Sequence, residues 1–219
     1  MQRIPEPELM TTQEQVDAYA DADFSSGDSR TVALVEQLLD ETGPLPKDPL
    51  IVDLGCGPGN ITIRLAELLP NAQVIGIDGS EPMLAVAKQR SIRTSNNLKF
   101  IRLQLHDIEV ELKDLADLVV SNSLLHHLKK PDLLWSVTQS IAKPGCRVLH
   151  RDLRRPTSLA EVHRLQQQHL PKAPSVLIQD FTASLVAAYT TDEVNQQLRR
   201  AEMNRAKVRS EDDRYLVVS

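Results

Sequence analysis

Residues 50–60 combine an acid, three glycines and an amide at a spacing that suits nucleotide binding. The aliphatic run Leu50–Leu54, which contains Asp53, is short and ends abruptly, as is typical of a strand buried on both faces. Three glycines follow at alternate positions: Gly55, Gly57 and Gly59. They permit a tight turn with positive φ angles and let the backbone approach a ligand. Asn60 can cap the helix predicted next, so the loop ends at a partial positive charge.

The glycine spacing excludes two common nucleotide loops. A dinucleotide fingerprint requires a glycine three residues after Gly57, where this chain has Asn60. A phosphate loop requires a lysine directly after its last glycine, and the sequence offers none there. The remaining pattern, an acid followed by alternating glycines with Cys56 among them, resembles motif I of the class I S-adenosylmethionine (SAM) methyltransferases. In that family the helix amino terminus receives a methionine carboxylate rather than a pyrophosphate.

A second acid follows at the end of the next predicted strand, Gln73–Asp78. In doubly wound folds, a carboxylate about 20 residues beyond the glycine loop accepts the ribose hydroxyls of a nucleotide. Gly79 and a helix that begins near Ser80 and carries Met83 come next. Asp78 is therefore predicted to bind a ribose, and the alternative is a turn residue at a strand end.

Strands and helices alternate through the central part of the chain. Further strands are predicted at Leu98–Gln104, Asp117–Asn122 and Val148–Leu153, with helical periodicity between them. This alternation predicts βαβ units, a parallel sheet and right-handed crossovers. The carboxyl ends of such strands meet at one edge of the sheet and form a ligand crevice.

The flanks of this α/β unit are predicted to be mostly helical. Thr11 and Glu14 have capping-box spacing, which predicts a first helix. The polar stretch Ser25–Asp28 is expected to end it, and helical periodicity resumes over Thr31–Glu41. The elements predicted downstream are helices Ser158–Leu170 and Leu177–Tyr189, a helix capped by Thr190 with Glu193, and a hairpin of Ala206–Ser210 with Tyr215–Ser219.

Four motifs in order over residues 50–153 make the family resemblance broad. The glycine loop and Asp78 are followed by Val-Val-Ser-Asn-Ser-Leu-Leu-His-His-Leu at 119–128 and by Ala-Lys-Pro-Gly at 142–145. This series resembles the small-molecule methyltransferases, such as those of ubiquinone and menaquinone biosynthesis. The resemblance implies a doubly wound, Rossmann-like α/β sheet of seven strands in the order 3-2-1-4-5-7-6, with the last strand antiparallel. It also implies a single domain over 1–219, with a helical lid from 1–30 and 157–190.

The same resemblance implies SAM as cofactor and a set of residues around it. Those expected to bind the cofactor are Asp53, Gly55, Cys56, Gly57, Gly59, Asn60, Asp78, Gly79, Met83, Gln104, Leu105, Ser121 and Asn122. The contact with the adenine edge has two candidates. Either Gln104 with Leu105 or Asp107, three residues further on, can accept from the adenine amino group.

Candidate acceptor-side residues are fewer and each has a plainer alternative. Asp152 could accept a proton, while the nearby Arg154 could hold an anion. Tyr189 could close over the sulfonium by a cation–π contact, as could Tyr19. All four are equally explained as packing or surface ion-pair residues. The catalytic candidates are therefore Asp152, Tyr189 and His127.

The adjacent histidines 126 and 127 invite a metal interpretation that the sequence does not favour. Neighbouring side chains on a helical segment diverge by roughly 100°, and no Cys or Glu is spaced nearby as a further ligand. We therefore expect no metal. Either one histidine, His127, lines the pocket, or both are structural.

Composition limits the function classes. A net charge of −5 and only 3% aromatic residues argue against a dedicated nucleic-acid binder. Basic residues outnumber acidic ones from Lys143 onward, which fits either an anionic acceptor or a solvated face. With two cysteines, no signal peptide and no apolar run of membrane-spanning length, the expected location is the reducing cytoplasm.

These observations predict SAM-dependent methyl transfer to a small-molecule acceptor. A methyltransferase for RNA or protein is an alternative, although 121–124 lack the Asn/Asp-Pro-Pro-aromatic pattern of the commonest amino-directed enzymes. A non-catalytic SAM-binding protein is another, and a hydrophobic plug in place of an acceptor cavity would support it. The sequence names neither the acceptor atom nor an oligomeric state.

Overall fold

A single mixed sheet organises the protein in this computed structural model, which describes residues 1–6, 12–94, 97–108 and 112–219. The strands are β1 Leu50–Leu54, β2 Gln73–Asp78, β3 Leu98–Arg102, β4 Ala116–Asn122, β5 Ala142–Leu153, β6 Val208–Ser210 and β7 Tyr215–Val218. The helices of these described ranges are α1 Gln13–Asp21, α2 Ser25–Thr42, α3 Asn60–Leu68, α4 Glu81–Arg90, α5 Asp132–Ile141, α6 Leu159–His169, α7 Ser175–Ala187 and α8 Thr191–Arg200. Short 3₁₀ helices lie at Ser91–Arg93, Leu105–Asp107 and Leu125–His127.

The sheet has the predicted topology. Its seven strands run in the order β3-β2-β1-β4-β5-β7-β6. Strands β1 to β5 pair in parallel, whereas β7 is antiparallel to both of its neighbours. The prediction of a doubly wound α/β fold with an antiparallel last strand is confirmed. The carboxyl ends of β1, β2 and β4 therefore meet at one edge, where the glycine loop begins.

Apolar residues on both faces of the sheet explain why these strands are buried. In β1, Val52 and Leu54 belong to one hydrophobic cluster, while Ile51 belongs to the cluster on the other face. Trp135 of α5 is fully buried in the first cluster, and Leu65 of α3 in the second. Burial of each such side chain contributes roughly 1.5–3 kcal/mol, so the central strands form a rigid base for the loops at their ends.

Helix starts differ from the predictions at two places before the sheet. Helix α2 begins at Ser25, so the predicted interruption at 25–28 is wrong. The Asp23 carboxylate accepts the amide N–H of Ser25 at 2.9 Å, which satisfies one of the free donors of the first turn. In α1 the cap is Thr12, whose hydroxyl accepts the amide of Gln15. The predicted cap at residue 11 lies outside the described residues.

At the start of α3 and near the end of the chain, the structure can also be compared with the predicted helix caps and hairpin. Gly59, with φ +82°, is the N-cap of α3, so the prediction that Asn60 caps this helix is wrong. The capping box at Thr190 and Glu193 is confirmed, with both reciprocal hydrogen bonds present. The terminal hairpin is also confirmed as β6 and β7. Among the described residues, no helix is both long and apolar enough to cross a membrane.

Candidate active site

The glycine loop after β1 is tied to the neighbouring strand by its own backbone. Gly55 and Cys56 both donate their amide N–H to the carbonyl oxygen of Ile77, at 2.8 and 3.0 Å. Gly55, Gly57 and Gly59 have φ angles of +68°, +53° and +82°, a region that other residues adopt only with strain. The glycines are thus required by the backbone path, as the sequence predicted.

Asp78 joins this loop to the start of α4. One oxygen of its carboxylate accepts the amide N–H of Gly57 at 2.8 Å, and the other accepts that of Ser80 at 2.7 Å. Burial raises the pKa of Asp78, and these amide donors oppose the rise. A carboxylate offers about four acceptor sites, so acceptor capacity remains for the hydroxyl groups of a ligand.

One cavity of about 680 Å³ opens in front of this loop. The predicted cofactor residues that line it are Asp53, Gly55, Cys56, Gly57, Asn60, Asp78, Gly79, Met83, Gln104, Leu105 and Asn122. Gly59 and Ser121 do not line it. A Cβ at Gly57 would meet no protein atom within 4 Å, so the space in front of this residue is open.

Gly59 and Ser121 face the protein interior instead of the cavity. A Cβ at Gly59 would lie 2.9 Å from Phe100 Cζ, so this glycine is required by packing. The Ser121 hydroxyl lies 2.8 Å from Nδ1 of His150, and Thr138 contacts the other ring nitrogen at 3.1 Å. Burial lowers the pKa of His150 to about 3, so the ring is neutral. The predicted contact of Ser121 with the cofactor gains no support from this arrangement.

Asp53 lies beneath the glycine loop, almost completely buried. Its only described side-chain partner is the Thr62 hydroxyl, which donates at 2.6 Å. Burial raises the pKa of Asp53 to about 7, and the hydrogen bond from Thr62 only partly opposes this rise. In the folded protein the Asp53 carboxyl therefore changes from protonated to ionised near neutral pH.

Replacing Asp53 should change how stability depends on pH. The folded protein retains this proton up to about pH 7, whereas an unfolded carboxyl releases it near 3.8. Between these values the folded state binds more protons, so the free energy of unfolding falls as pH rises. From about pH 5 to about pH 8 the free energy of unfolding should fall by roughly 2–3 kcal/mol more in the wild type than in Asp53→Asn. Urea unfolding measures both, with Asp48→Asn as the exposed control. Parallel pH profiles of wild type and Asp53→Asn would contradict the assignment.

The two candidates for the predicted adenine contact, Gln104 with Leu105 and Asp107, differ in their position relative to the cavity. Gln104 and Leu105 line the cavity next to His106. Asp107 is absent from the lining, and its half-exposed carboxylate lies 3.6 Å from the His106 ring. Gln104 thus remains the predicted adenine contact, and the geometry favours it over Asp107.

The amino-terminal helices contribute cavity residues, of which the sequence indicated only Tyr19. Tyr19 and Phe24 line the cavity from α1 and the following loop, with ring centroids 4.6 Å apart. Asp28, in the first turn of α2, accepts a hydrogen bond from the Asn60 side chain at 3.0 Å. The available signal was the polar stretch around Asp28, which was interpreted only as a helix break.

Two predicted catalytic residues lie behind the cavity rather than in it. The Asp152 carboxylate accepts the amide N–H of Leu125 at 2.6 Å and contacts Nδ1 of His126 at 2.6 Å. The Tyr189 hydroxyl donates to the carbonyl of Leu128 at 2.8 Å. Neither lines the cavity. Their contacts make them positioning residues for the turn 125–128, hereafter the histidine turn, instead of the direct participants that we predicted.

The histidine turn is also held by the first residues of the chain. The Arg3 guanidinium donates to the carbonyls of His126 and Leu128 at 2.9 and 3.1 Å, and it lies 4.0 Å from the Tyr189 ring centroid. His127 lines the cavity, with Nδ1 3.2 Å from Oε1 of Glu6. The two histidine rings lie 4.2 Å apart at 35°, so the expectation that they diverge is wrong.

Arg154 does not supply the anion contact considered from the sequence. Its guanidinium donates to the carbonyls of Asp212 and Asp213, at 3.0 and 3.1 Å, and it is absent from the cavity lining. Arg214 and His169 are present there instead. The sequence could not place these residues together, because they lie on α6 and in the terminal hairpin.

Comparison with known proteins gives the family. A model of the family described as "Methyltransferase domain" matches residues 47–205. The chain is 39% identical over 104 residues to a trans-aconitate 2-methyltransferase of Variovorax paradoxus, covering 47% of this chain and 38% of the relative. It is 42% identical over 79 residues to a malonyl-[acyl-carrier protein] O-methyltransferase of Bacillus cytotoxicus, covering 36% and 26%. The chain thus spans less than half the length of these relatives.

A solved structure supports the same fold. A putative SAM-dependent methyltransferase of Methanococcus maripaludis superposes with a TM-score of 0.67 at 13% identity, covering 98% of this chain and 95% of that one. The chain belongs to the class I methyltransferase-domain family. The expected family and its cofactor, SAM, are confirmed. The open space at Gly57 and the unused acceptor capacity of Asp78 fit such a ligand.

Proposed function

We propose that this chain catalyses SAM-dependent methyl transfer to a small-molecule acceptor. The observation that carries the proposal is the continuity of the cavity from the glycine loop to the histidine turn. SAM supplies a methyl group already activated by its sulfonium. The chain therefore mainly has to hold the two partners in line and exclude water.

The half of the cavity beyond Asn122, hereafter the acceptor half, suits a small and mostly apolar partner with a few polar groups. Its apolar lining is Leu124, Leu128, Leu133, Leu170, Ala173, Pro174, Leu177 and Phe181. His126, His127 and Ser184 add polar atoms. A site with this mixture removes water from an acceptor while fixing its orientation. An open acceptor half supports an enzyme over a non-catalytic SAM-binding protein.

The acceptor class that we propose is a small carboxylic acid. Arg214 and His169 line the acceptor half, where both also contact the Asp213 carboxylate, at 3.0 and 2.9 Å. The names of two relatives contain trans-aconitate and malonyl, which points to the same acid class. Carboxylates also line the cavity, at Asp180 among others, so the anionic preference depends on Arg214.

Other features of the proposal concern the surroundings of the site. The helices within 1–30 and 157–190 serve as the lid, because α1, α6 and α7 all carry cavity residues. A nucleic-acid acceptor is disfavoured by the net charge of −5. The reducing cytoplasm remains the predicted location, in keeping with two free cysteines, one of them buried.

Two measurements test this function. Calorimetric titration should show binding of SAM and of S-adenosylhomocysteine, and none of NAD. Release of S-adenosylhomocysteine is then followed with trans-aconitate and a panel of other small di- and tricarboxylic acids, with RNA and a mixed peptide library as comparison. Turnover with an acid supports the proposal. Binding of NAD without SAM would refute it, as would turnover only with RNA or peptides, or SAM binding with turnover of none of these acceptors.

A further inference from the structure

We propose that Glu6, His126 and His127 form a binding site for a divalent metal ion of the Zn²⁺ class in the acceptor half of the cavity. Oε1 of Glu6 lies 3.5 Å from Nε2 of His126 and 3.2 Å from Nδ1 of His127. One potential ligand atom from each of the three residues lies within 4.8 Å of the others. Two imidazoles and one carboxylate are a ligand set that proteins use for catalytic zinc.

The distances of the two imidazole nitrogens from the Glu6 oxygen fit tetrahedral coordination. Ligand atoms about 2.0–2.2 Å from a tetrahedral metal lie roughly 3.3–3.5 Å from one another. The two measured separations from Glu6, 3.2 and 3.5 Å, agree with that value. The rings of His126 and His127 lie 4.2 Å apart and tilted by 35°, and both side chains reach the same carboxylate oxygen.

Outer contacts orient the ligands as they do in known metal sites. Nδ1 of His126 lies 2.6 Å from the Asp152 carboxylate, which leaves Nε2 for the metal. A carboxylate behind a ligating histidine fixes the ring and increases its basicity. The Ser184 hydroxyl donates to both oxygens of Glu6, at 3.0 and 3.2 Å. Asp152, which positions the histidine turn, would then also orient a metal ligand.

Charge supports the same conclusion. The side chains of Glu6 and Asp152 are only 10% and 2% exposed, so two carboxylates share a site from which water is largely excluded. A nearby positive charge stabilises an ionised carboxylate in such surroundings. Among the described residues, the nearby Arg3 donates to the backbone carbonyls of Ala187 and of the histidine turn rather than to either carboxylate. A divalent cation between Glu6 and the imidazoles would supply that charge.

The position of the site deepens the proposed function, on which this consequence rests. His126 and His127 line the acceptor half, so a fourth coordination position can face the acceptor. An acceptor carboxylate or hydroxyl oxygen could occupy it, which would hold the acceptor at a fixed distance from the glycine loop. Acceptors with an oxygen donor next to the methylated atom would then be favoured.

Cobalt binding tests the site directly. The full chain is treated with EDTA, dialysed and titrated with Co²⁺, whose tetrahedral complexes absorb strongly in the visible range, and Zn²⁺ is then added as competitor. We expect one equivalent of Co²⁺ with a tetrahedral spectrum and its displacement by Zn²⁺. Glu6→Gln and His127→Ala should weaken Zn²⁺ binding at least about 100-fold, and Asp152→Asn about 10- to 100-fold. His163→Ala, which removes an exposed histidine on α6, should bind as the wild type does.

Two results would overturn the metal site. One is a wild-type protein whose Co²⁺ spectrum is octahedral or absent. The other is equal Zn²⁺ affinity in Glu6→Gln and His163→Ala. Thermal unfolding and SAM titration of the same samples show whether each variant is folded. A wild-type protein that binds SAM but not Zn²⁺ refutes this inference alone. A wild-type protein that does not bind SAM refutes the proposed function.

Discussion

Asp78→Asn is expected to weaken SAM binding about 100-fold, which corresponds to about 3 kcal/mol. The carboxylate lies in the cavity and already holds the amides of Gly57 and Ser80. An amide of the same size has one acceptor oxygen and cannot both keep these bonds and receive ribose hydroxyls. Each lost hydrogen bond to a charged acceptor costs about 1.5–3 kcal/mol.

Calorimetric titration with SAM measures this effect, and Asp107→Asn is the matched control. Asp107 is an exposed acid outside the cavity lining, so its replacement should leave SAM affinity unchanged. Thermal unfolding of both variants shows whether the loop remains folded. If Asp78→Asn binds SAM within a few-fold of the wild type, the ribose assignment fails. A large loss in Asp107→Asn would transfer the adenine contact from Gln104 to Asp107.

Gly59→Ala is expected to lower the free energy of unfolding by about 2–4 kcal/mol. Its φ of +82° is unfavourable for alanine. A new Cβ would also lie 2.9 Å from Phe100 Cζ and 3.0 Å from Ala87 Cβ. Phe100 has little room to retreat, because its ring also lies against the backbone of Gly76. Strain and overpacking therefore add at this position.

Gly57→Ala is the matched control, because it shares the positive φ without the steric conflict. Its Cβ would meet no atom within 4 Å, so about 1 kcal/mol of backbone strain should remain. Urea unfolding of both variants without ligand measures the difference. SAM affinity should respond differently, since the Gly57 methyl group would be added at the cavity wall. Equal destabilisation by the two substitutions would contradict the packing argument.

The sequence predicted the fold well because its signals are local. An aliphatic run that stops at glycines indicates the first strand and its end, and five predicted strands with helical periodicity between them indicate a parallel sheet. The order of the strands was implied by the family resemblance. The three alternating glycines and Asp78 could also be recognised from the sequence, because the motif is defined by the spacing of its residues along the chain. Their relation to one cavity follows from the topology alone, since parallel strands end at the same edge.

The acceptor side could not be predicted in the same way, because its contacts join distant parts of the chain. Glu6 and His127 are separated by more than a hundred residues, and nothing local to either indicates their 3.2 Å contact. Asp152 was correctly placed at the end of β5, yet its side chain points to His126 rather than into the cavity. Side-chain direction at a strand end depends on tertiary packing.

The first six residues have an importance out of proportion to their number. Arg3 and Glu6 reach the histidine turn, while the amide of Ile4 donates to the carbonyl of Val186 at 3.3 Å. The glycine loop has no such dependence, since its bonds come from β2. Detachment of this short leading segment, by heat or by a protease, would thus disorganise the end of the cavity at the histidine turn and spare the end at the glycine loop. The two ends of the one cavity can lose their order separately.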